Sequence, residues 1–219
     1  MGIEIDLMRL YPQSKGRLGE RPIITEEDRI ISSRFGQDYF DGDRKHGYGG
    51  FNYNPRFWTA TVNLLKEHYE LNETARILDI GCAKGFMVKD FKLLLPQAEI
   101  LGIDISQYAI THAEADVSEF VSVANATDLP FRDNQFDLVI SINTIHNLDR
   151  GGCIKALREI ERVSAGNSFI MVDGWQSENE RKSMEAWVLT AKTMMSKVDW
   201  ISLFKEAGYT GDFSFWTVS

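Results

Sequence analysis

Residues 76–86, Arg-Ile-Leu-Asp-Ile-Gly-Cys-Ala-Lys-Gly-Phe, run from an apolar strand through a carboxylate and a small-residue turn into the start of a helix. A strand followed at once by a glycine turn and a helix is the first half of a βαβ unit. That unit commits the chain to a parallel sheet with helices packed on it. Turns of this kind let backbone N–H groups and a helix N-terminus come close to a ligand. Asp79 sets the sign of that ligand, because a carboxylate at the mouth of the turn repels a pyrophosphate and attracts an ammonium group.

The same alternation continues from residue 55 onward. Pro55 opens a helix over 57–69 with Val62, Leu65 and Tyr69 on one face. Strands are expected at 76–80, 100–104, 120–124, 136–142 and 169–172. Helices are expected at 86–95, stopped by Pro96, at 107–115, and around Ile154, Leu157, Ile160 and Val163. A long helix over 178–195, a second over 198–207 ended by Gly208, and a strand over 213–218 complete the pattern.

Residues 1–54 read differently, as an N-terminal extension to a domain over 55–219. They begin charged and poor in strand patterns, interrupted by Pro12 and Pro22. Glycines then alternate with aromatic and charged residues from Phe35 to Tyr53. That composition suits either a lid that closes over a ligand or an ordered extension packing its aromatics on the main domain.

The 219 residues, 43% of them hydrophobic, are enough for one domain with a substantial core. A formal net charge of −8 argues against nucleic acid as a partner. Cys82 and Cys153 have no paired spacing, which suggests a reducing compartment. The first residues lack a signal-peptide pattern and no apolar run is long enough to span a bilayer, so a cytoplasmic location without membrane attachment is expected. Four scattered histidines without ligand-like spacing give no expectation of a metal site.

Ligands of parallel α/β sheets sit beyond the carboxyl ends of the strands. Asp79, Asp104, Asn125, Asn143 and Asp173 each end or follow an expected strand. Turn preference explains any one of them, and explains five in succession poorly.

Four segments in order resemble the class I S-adenosylmethionine-dependent methyltransferases of small molecules. They are residues 78–85 (Leu-Asp-Ile-Gly-Cys-Ala-Lys-Gly), 102–106 (Gly-Ile-Asp-Ile-Ser), 125–131 (Asn-Ala-Thr-Asp-Leu-Pro-Phe) and 136–143 (Phe-Asp-Leu-Val-Ile-Ser-Ile-Asn). The resemblance implies an α/β fold: a Rossmann-like, doubly wound, mostly parallel sheet with a final antiparallel strand. It implies S-adenosylmethionine as cofactor, with Asp79 meeting the methionine ammonium. Gly81, Cys82, Ala83 and Gly85 then form the turn under the methionine and ribose. The family usually has glycine where Ala83 stands, so alanine there needs negative φ or carries strain. Asp104 would accept the ribose hydroxyls and Ile105 would pack on adenine. Asn125, in place of the usual Asp, would accept from the adenine amino group, and the Ala126 N–H would face the ring. Asn143 closes this cofactor outline.

The resemblance further implies methyl transfer to an O or N atom of a small polar acceptor, similar to bacterial surface-glycan or metabolite methyltransferases acting on a sugar or sugar nucleotide. His146 is a candidate base, with loop capping as the other role its position allows. His46 is a second candidate base if the extension closes. Asn147, Asp173, Trp175 and Tyr48 are candidate acceptor contacts. Trp187 and the pair Met194 and Met195 either wall the acceptor pocket or belong to the core. A catalytically silent cofactor-binding partner subunit is the alternative. A nicotinamide dehydrogenase is disfavoured by Asp79 and by the Gly-x-Ala-x-Gly spacing.

Overall fold

The computed structural model describes residues 2–12, 23–47, 49 and 52–217. In chain order the elements are α1 (Glu26–Ser32), α2 (Gln37–Asp41), α3 (Pro55–His68), β1 (Arg76–Ile80), α4 (Phe86–Leu94), β2 (Glu99–Asp104), α5 (Gln107–Thr111), β3 (Val121–Val123), β4 (Leu138–Ile142), α6 (Arg150–Val163), β5 (Ser168–Trp175), α7 (Glu178–Trp187), β6 (Met195–Ser196), α8 (Lys197–Ala207) and β7 (Asp212–Trp216). Local chemistry fixes the helix ends. Asn54 and Pro55 open α3, Asp149 caps α6, Ser177 and Glu180 form a capping box on α7, and Gly208 at φ 78° ends α8.

The sheet runs β3-β2-β1-β4-β5, with β7 along β5 and the short β6 added to the last two residues of β5. The order reverses between β1 and β4, so the rim above these two strands is the topological switch point where such sheets bind ligands. Each strand side chain belongs to one of two packed layers. Ile77, Leu138, Ile140, Phe169 and Met171 join Val62, Leu65 and Phe91 of α3 and α4 on one face. Leu78, Val139, Ile170 and Val172 join Leu157, Ile160, Trp200 and Phe204 of α6 and α8 on the other. Each such buried side chain contributes about 1.5–3 kcal/mol.

Two sequence expectations are corrected. The last strand is parallel to β5, not antiparallel, pairing Phe169 with Asp212 through Asp173 with Trp216. The eleven-residue α8 carries the chain back to the amino edge of the sheet, so the strand that follows re-enters in the same direction as β5. The helix expected over 178–195 stops at Trp187. Beyond it the N–H groups of Lys192 and Thr193 both donate to the His146 carbonyl at 3.0 Å. Tertiary hydrogen bonds replace the next helical turn there.

The extension packs at two places. Its first residues lie along β7, where Ile5 N–H donates to the Phe213 carbonyl at 2.9 Å and Asp212 takes the Ile3 N–H and Tyr69 hydroxyl. Residues 23–47 lie at the carboxyl rim, described below. Among the described residues no helix is long and apolar enough to cross a membrane.

Candidate active site

The turn after β1 folds over onto β2, since Gly81 and Cys82 N–H both donate to the Ile103 carbonyl, at 2.7 and 3.0 Å. Gly81 sits at φ +84°, and a Cβ there would lie 2.0 Å from Thr144 Oγ1. Glycine is required at this point on both counts. Gly85 at φ 79° is the residue from which α4 starts. Cys82 is turned inward against Gly102, where a Cβ would meet its Cβ and Sγ at 2.8 Å. It therefore serves the turn through its backbone. Burial first, then Asp79 and Asp104, pushes its thiol well up, so it is no nucleophile.

Ala83 adopts φ +50°, so of the two conditions open to alanine here the chain takes the strained one. The left-handed region costs a non-glycine residue about 1–2 kcal/mol, partly offset by the entropy glycine would lose. Ala83→Gly is expected to stabilise the protein by roughly 0.5–1 kcal/mol in urea unfolding. A loss of stability would show that the turn does not hold positive φ.

Asp104 staples the two rim loops together. Its Oδ2 accepts the Ala83 N–H at 2.9 Å and its Oδ1 the Ser106 N–H at 2.8 Å. Burial raises its pKa against these amides, and each oxygen keeps a second lone pair for a ligand hydroxyl. Ile105 beside it is 57% exposed, an apolar face at the rim. Ala126 N–H donates to no group among the described residues.

Asp79 is the most unusual group. It is 4% exposed and its carboxylate receives no hydrogen bond among the described residues. Burial, and then the nearby Asp104 charge, pushes its pKa up to about 8. A buried carboxylate without a donor is electrostatically incomplete and calls for a cation. Together Asp79, Asp104, Ile105 and Ala126 offer a cation site, a double hydroxyl acceptor, an apolar face and an N–H donor. This set fits the ammonium, ribose and adenine of S-adenosylmethionine.

Asn125 is corrected. Its side-chain oxygen accepts both the N–H and the hydroxyl of Thr127, each at 3.0 Å, so the acceptor meant for adenine is already used in a local turn. Its amide NH2 is what remains for a ligand. Asn143 is exposed at φ +51°, a conformation Asn tolerates better than most residues, and its N–H donates to the Met171 carbonyl at 2.9 Å.

Beyond β4 and β5 on the same rim, Asp173 N–H donates to His146 Nδ1 at 3.1 Å. The proton of a neutral His146 ring is therefore on Nε2, which makes that nitrogen a donor. This geometry ties the His146 ring to the backbone of Asp173 through Nδ1. His46 Nε2 meets Asp28 Oδ1 at 3.0 Å, both residues buried inside the extension. Hydrogen bonds from Thr25 first, and from His46, hold Asp28 at about 2. Asn147 Nδ2 donates to the Asn143 carbonyl at 3.3 Å while its buried Oδ1 has no partner among the described residues. Trp175 is half-buried at the end of β5, and Tyr48 lies outside the described residues.

The sequence reading missed the residues that bring the extension onto this rim. Lys84 Nζ, inside the turn, pairs with Asp41 of α2 at 2.5 and 2.6 Å, and Tyr108 hydroxyl donates to the same carboxylate at 2.8 Å. These hydrogen bonds and the Lys84 charge outweigh burial and hold Asp41 below the usual carboxylate range. Ser106 Oγ donates to the Phe35 carbonyl at 2.6 Å. Arg29 of α1 donates to the carbonyls of Glu185 and Val188, where α7 ends. A lysine between two small residues of a ligand-binding turn was the available signal for the first of these contacts.

Residues 78–172 match the family model described as a methyltransferase domain. A malonyl-[acyl-carrier protein] O-methyltransferase of Legionella pneumophila is 32% identical over 117 residues, covering 51% of this chain and 40% of that protein. A tRNA (carboxymethyluridine(34)-5-O)-methyltransferase of Arabidopsis thaliana is 34% identical over 109 residues, covering 49% and 26%. The chain thus spans less than half the length of these curated relatives. The solved structure of an S-adenosylmethionine-dependent methyltransferase from Methanosarcina mazei, 19% identical, overlays 64% of this chain and 82% of that one at a TM-score of 0.52, a likeness of fold. Rim chemistry and the family-model match agree on a methyltransferase domain over residues 78–172.

Proposed function

We propose that this chain transfers the methyl group of S-adenosylmethionine to an oxygen or nitrogen atom of a small polar acceptor. The observation that carries the reading is Asp79, a buried carboxylate without a donor beside Asp104 at the switch point of the sheet. The cofactor supplies, when bound, a methyl group already activated by positive sulfur. The protein's part is then binding and orientation, worth about 7–11 kcal/mol in favourable cases. Asp79 binds the ammonium and Asp104 the ribose hydroxyls. His146 holds the backbone of Asp173 in place at the acceptor side.

The curated relatives act, by their names, on an acyl-carrier-bound malonyl group and on tRNA. Here a net charge of −8 favours a small acceptor over a polyanion. Incubating the protein with the cofactor and panels of small amines, alcohols and carboxylates, with detection of S-adenosylhomocysteine, tests the reading. Cofactor binding without turnover on any panel would replace it by the silent partner subunit.

Residues 23–47 act in this reading as a lid held by Asp41 on Lys84 and by Arg29 on the end of α7. Loss of a partly buried charge-assisted hydrogen bond is worth about 1.5 kcal/mol, or about tenfold in an equilibrium. Asp41→Asn is therefore expected to speed S-adenosylhomocysteine release about tenfold in stopped-flow dissociation. An unchanged release rate would remove the lid.

A further inference from the structure

Asp173 shares with Asp79 the property that identified the cofactor site. It is 4% exposed and its carboxylate receives no hydrogen bond among the described residues. Its backbone, by contrast, is fixed on both sides, by His146 Nδ1 on the N–H at 3.1 Å and by Trp200 Nε1 on the carbonyl at 2.8 Å. His146 Nδ1 lies 3.7 Å from Asp173 Oδ2, beyond hydrogen-bond distance, and the Asp173 amide donates to the same nitrogen. Burial raises the Asp173 pKa, opposed by His146.

One ammonium cannot serve both carboxylates. Asp79 is level with Ile140 and Ile140 with Phe169, which places Asp173 two strands across and four residues further along. That is roughly 10 Å across the sheet and roughly 13 Å along it. Asp173 needs a donor of its own.

Its surroundings say what kind. Trp216 is its register partner on β7, so the two side chains leave the same face of the sheet. Trp187 stands behind Trp216 at 6.5 Å between rings. Asn147 Oδ1, on the loop that carries His146, is a second buried acceptor without a donor among the described residues. Cations of the surrounding elements have partners of their own, Lys84 with Asp41, Arg29 with the carbonyls of Glu185 and Val188, and Lys197 with Glu4 at 3.4 Å. An unmatched carboxylate beside an indole suits a donor-rich cation. An anionic acceptor would place like charges together in a low-dielectric site.

We propose that the methyl acceptor is an amine, its nitrogen held by the Asp173 carboxylate beside Trp216. This rests on the methyl-transfer reading, and the test separates the two. Calorimetry first titrates S-adenosylhomocysteine into the protein, and failure at that step strikes the methyl-transfer reading alone. The loaded protein is then titrated with 2-phenylethylamine, 2-phenylethanol and 3-phenylpropanoate, which share a ring and differ in the head group. The amine is expected to bind at least tenfold more tightly than the alcohol, and the acid more weakly than both.

Asp173→Asn is expected to reduce amine affinity at least tenfold and leave S-adenosylhomocysteine affinity within twofold. It is also expected to raise the melting temperature of the ligand-free protein, which a merely structural Asp173 would not do. Trp216→Leu, which keeps the carboxylate, is expected to weaken the amine more than the alcohol and covers the case in which Asp173→Asn does not fold. Three results would overturn the inference: acid binding as tight as amine, no amine binding to the loaded wild type, or variants that bind the amine unchanged.

Discussion

Asp79→Asn is expected to make the ligand-free protein more stable and to deprive it of its cofactor. The folded chain holds a proton on Asp79 up to about pH 8, whereas the unfolded chain has released it above the ordinary aspartate value of 3.8. Unfolding therefore releases a proton between these values, and stability falls as pH rises from about 4 to about 8, levelling off beyond. Asparagine has no such titration. The variant should gain on the order of 2–4 kcal/mol at pH 8, with almost no gain at pH 4, and its stability should be flatter across that window. Removing one partner of a buried ion pair costs about 3–5 kcal/mol, so affinity for S-adenosylmethionine should fall between about a hundredfold and several thousandfold. Urea unfolding at the two pH values and calorimetric titration measure both effects. A variant less stable at pH 8, or one that keeps its affinity, contradicts the role given to Asp79.

Gly81→Ala is expected to destabilise the fold by about 3–5 kcal/mol. The positive φ accounts for about 1–2 kcal/mol of this. The rest is overpacking, because the new methyl overlaps Thr144 Oγ1 at 2.0 Å and its Cγ2 at 2.5 Å. Thr144 cannot move freely, since its hydroxyl donates to the Ile142 carbonyl at 3.0 Å. Thr144→Ala in the same chain should recover about 1–2 kcal/mol, leaving the φ penalty and the remaining contact with the Thr144 Cβ at 2.7 Å. Strictly additive losses in the double-mutant cycle would mean that the two loops do not touch as described.

These two residues stood out in the sequence because of the local turn they belong to. A glycine directly after an apolar strand and a carboxylate before it announce a turn and a charge, and the turn's neighbours in the chain settle most of the geometry. The alternation of strands and helices was readable for the same reason, to within a residue or two at most ends. What was not readable depends on partners distant in sequence. The direction of β7 follows from where α8 delivers the chain, and the path after α7 from the His146 carbonyl that accepts the Lys192 and Thr193 N–H groups. His146 stood out as a base by position alone, and only its contact with the Asp173 amide fixes which nitrogen carries the proton. Asn125 was expected to replace an aspartate for adenine, yet Thr127, two residues on, takes its oxygen, an Asx turn that its own neighbourhood could have suggested. Asp41 and Lys84, 43 residues apart, carried no mutual signal.

The contact of Asp79 with the cofactor's ammonium is central to binding, and proton release on binding reads that contact directly. With its pKa near 8, Asp79 is mostly protonated at pH 7 and must ionise to pair with the cation. Calorimetric titration of S-adenosylhomocysteine at pH 7, repeated in buffers of different ionisation enthalpy, counts the protons set free. The wild type should release close to one proton, and Asp79→Asn, at concentrations high enough to bind, close to none. Binding with no proton released by the wild type, or with equal release by the variant, would contradict the account.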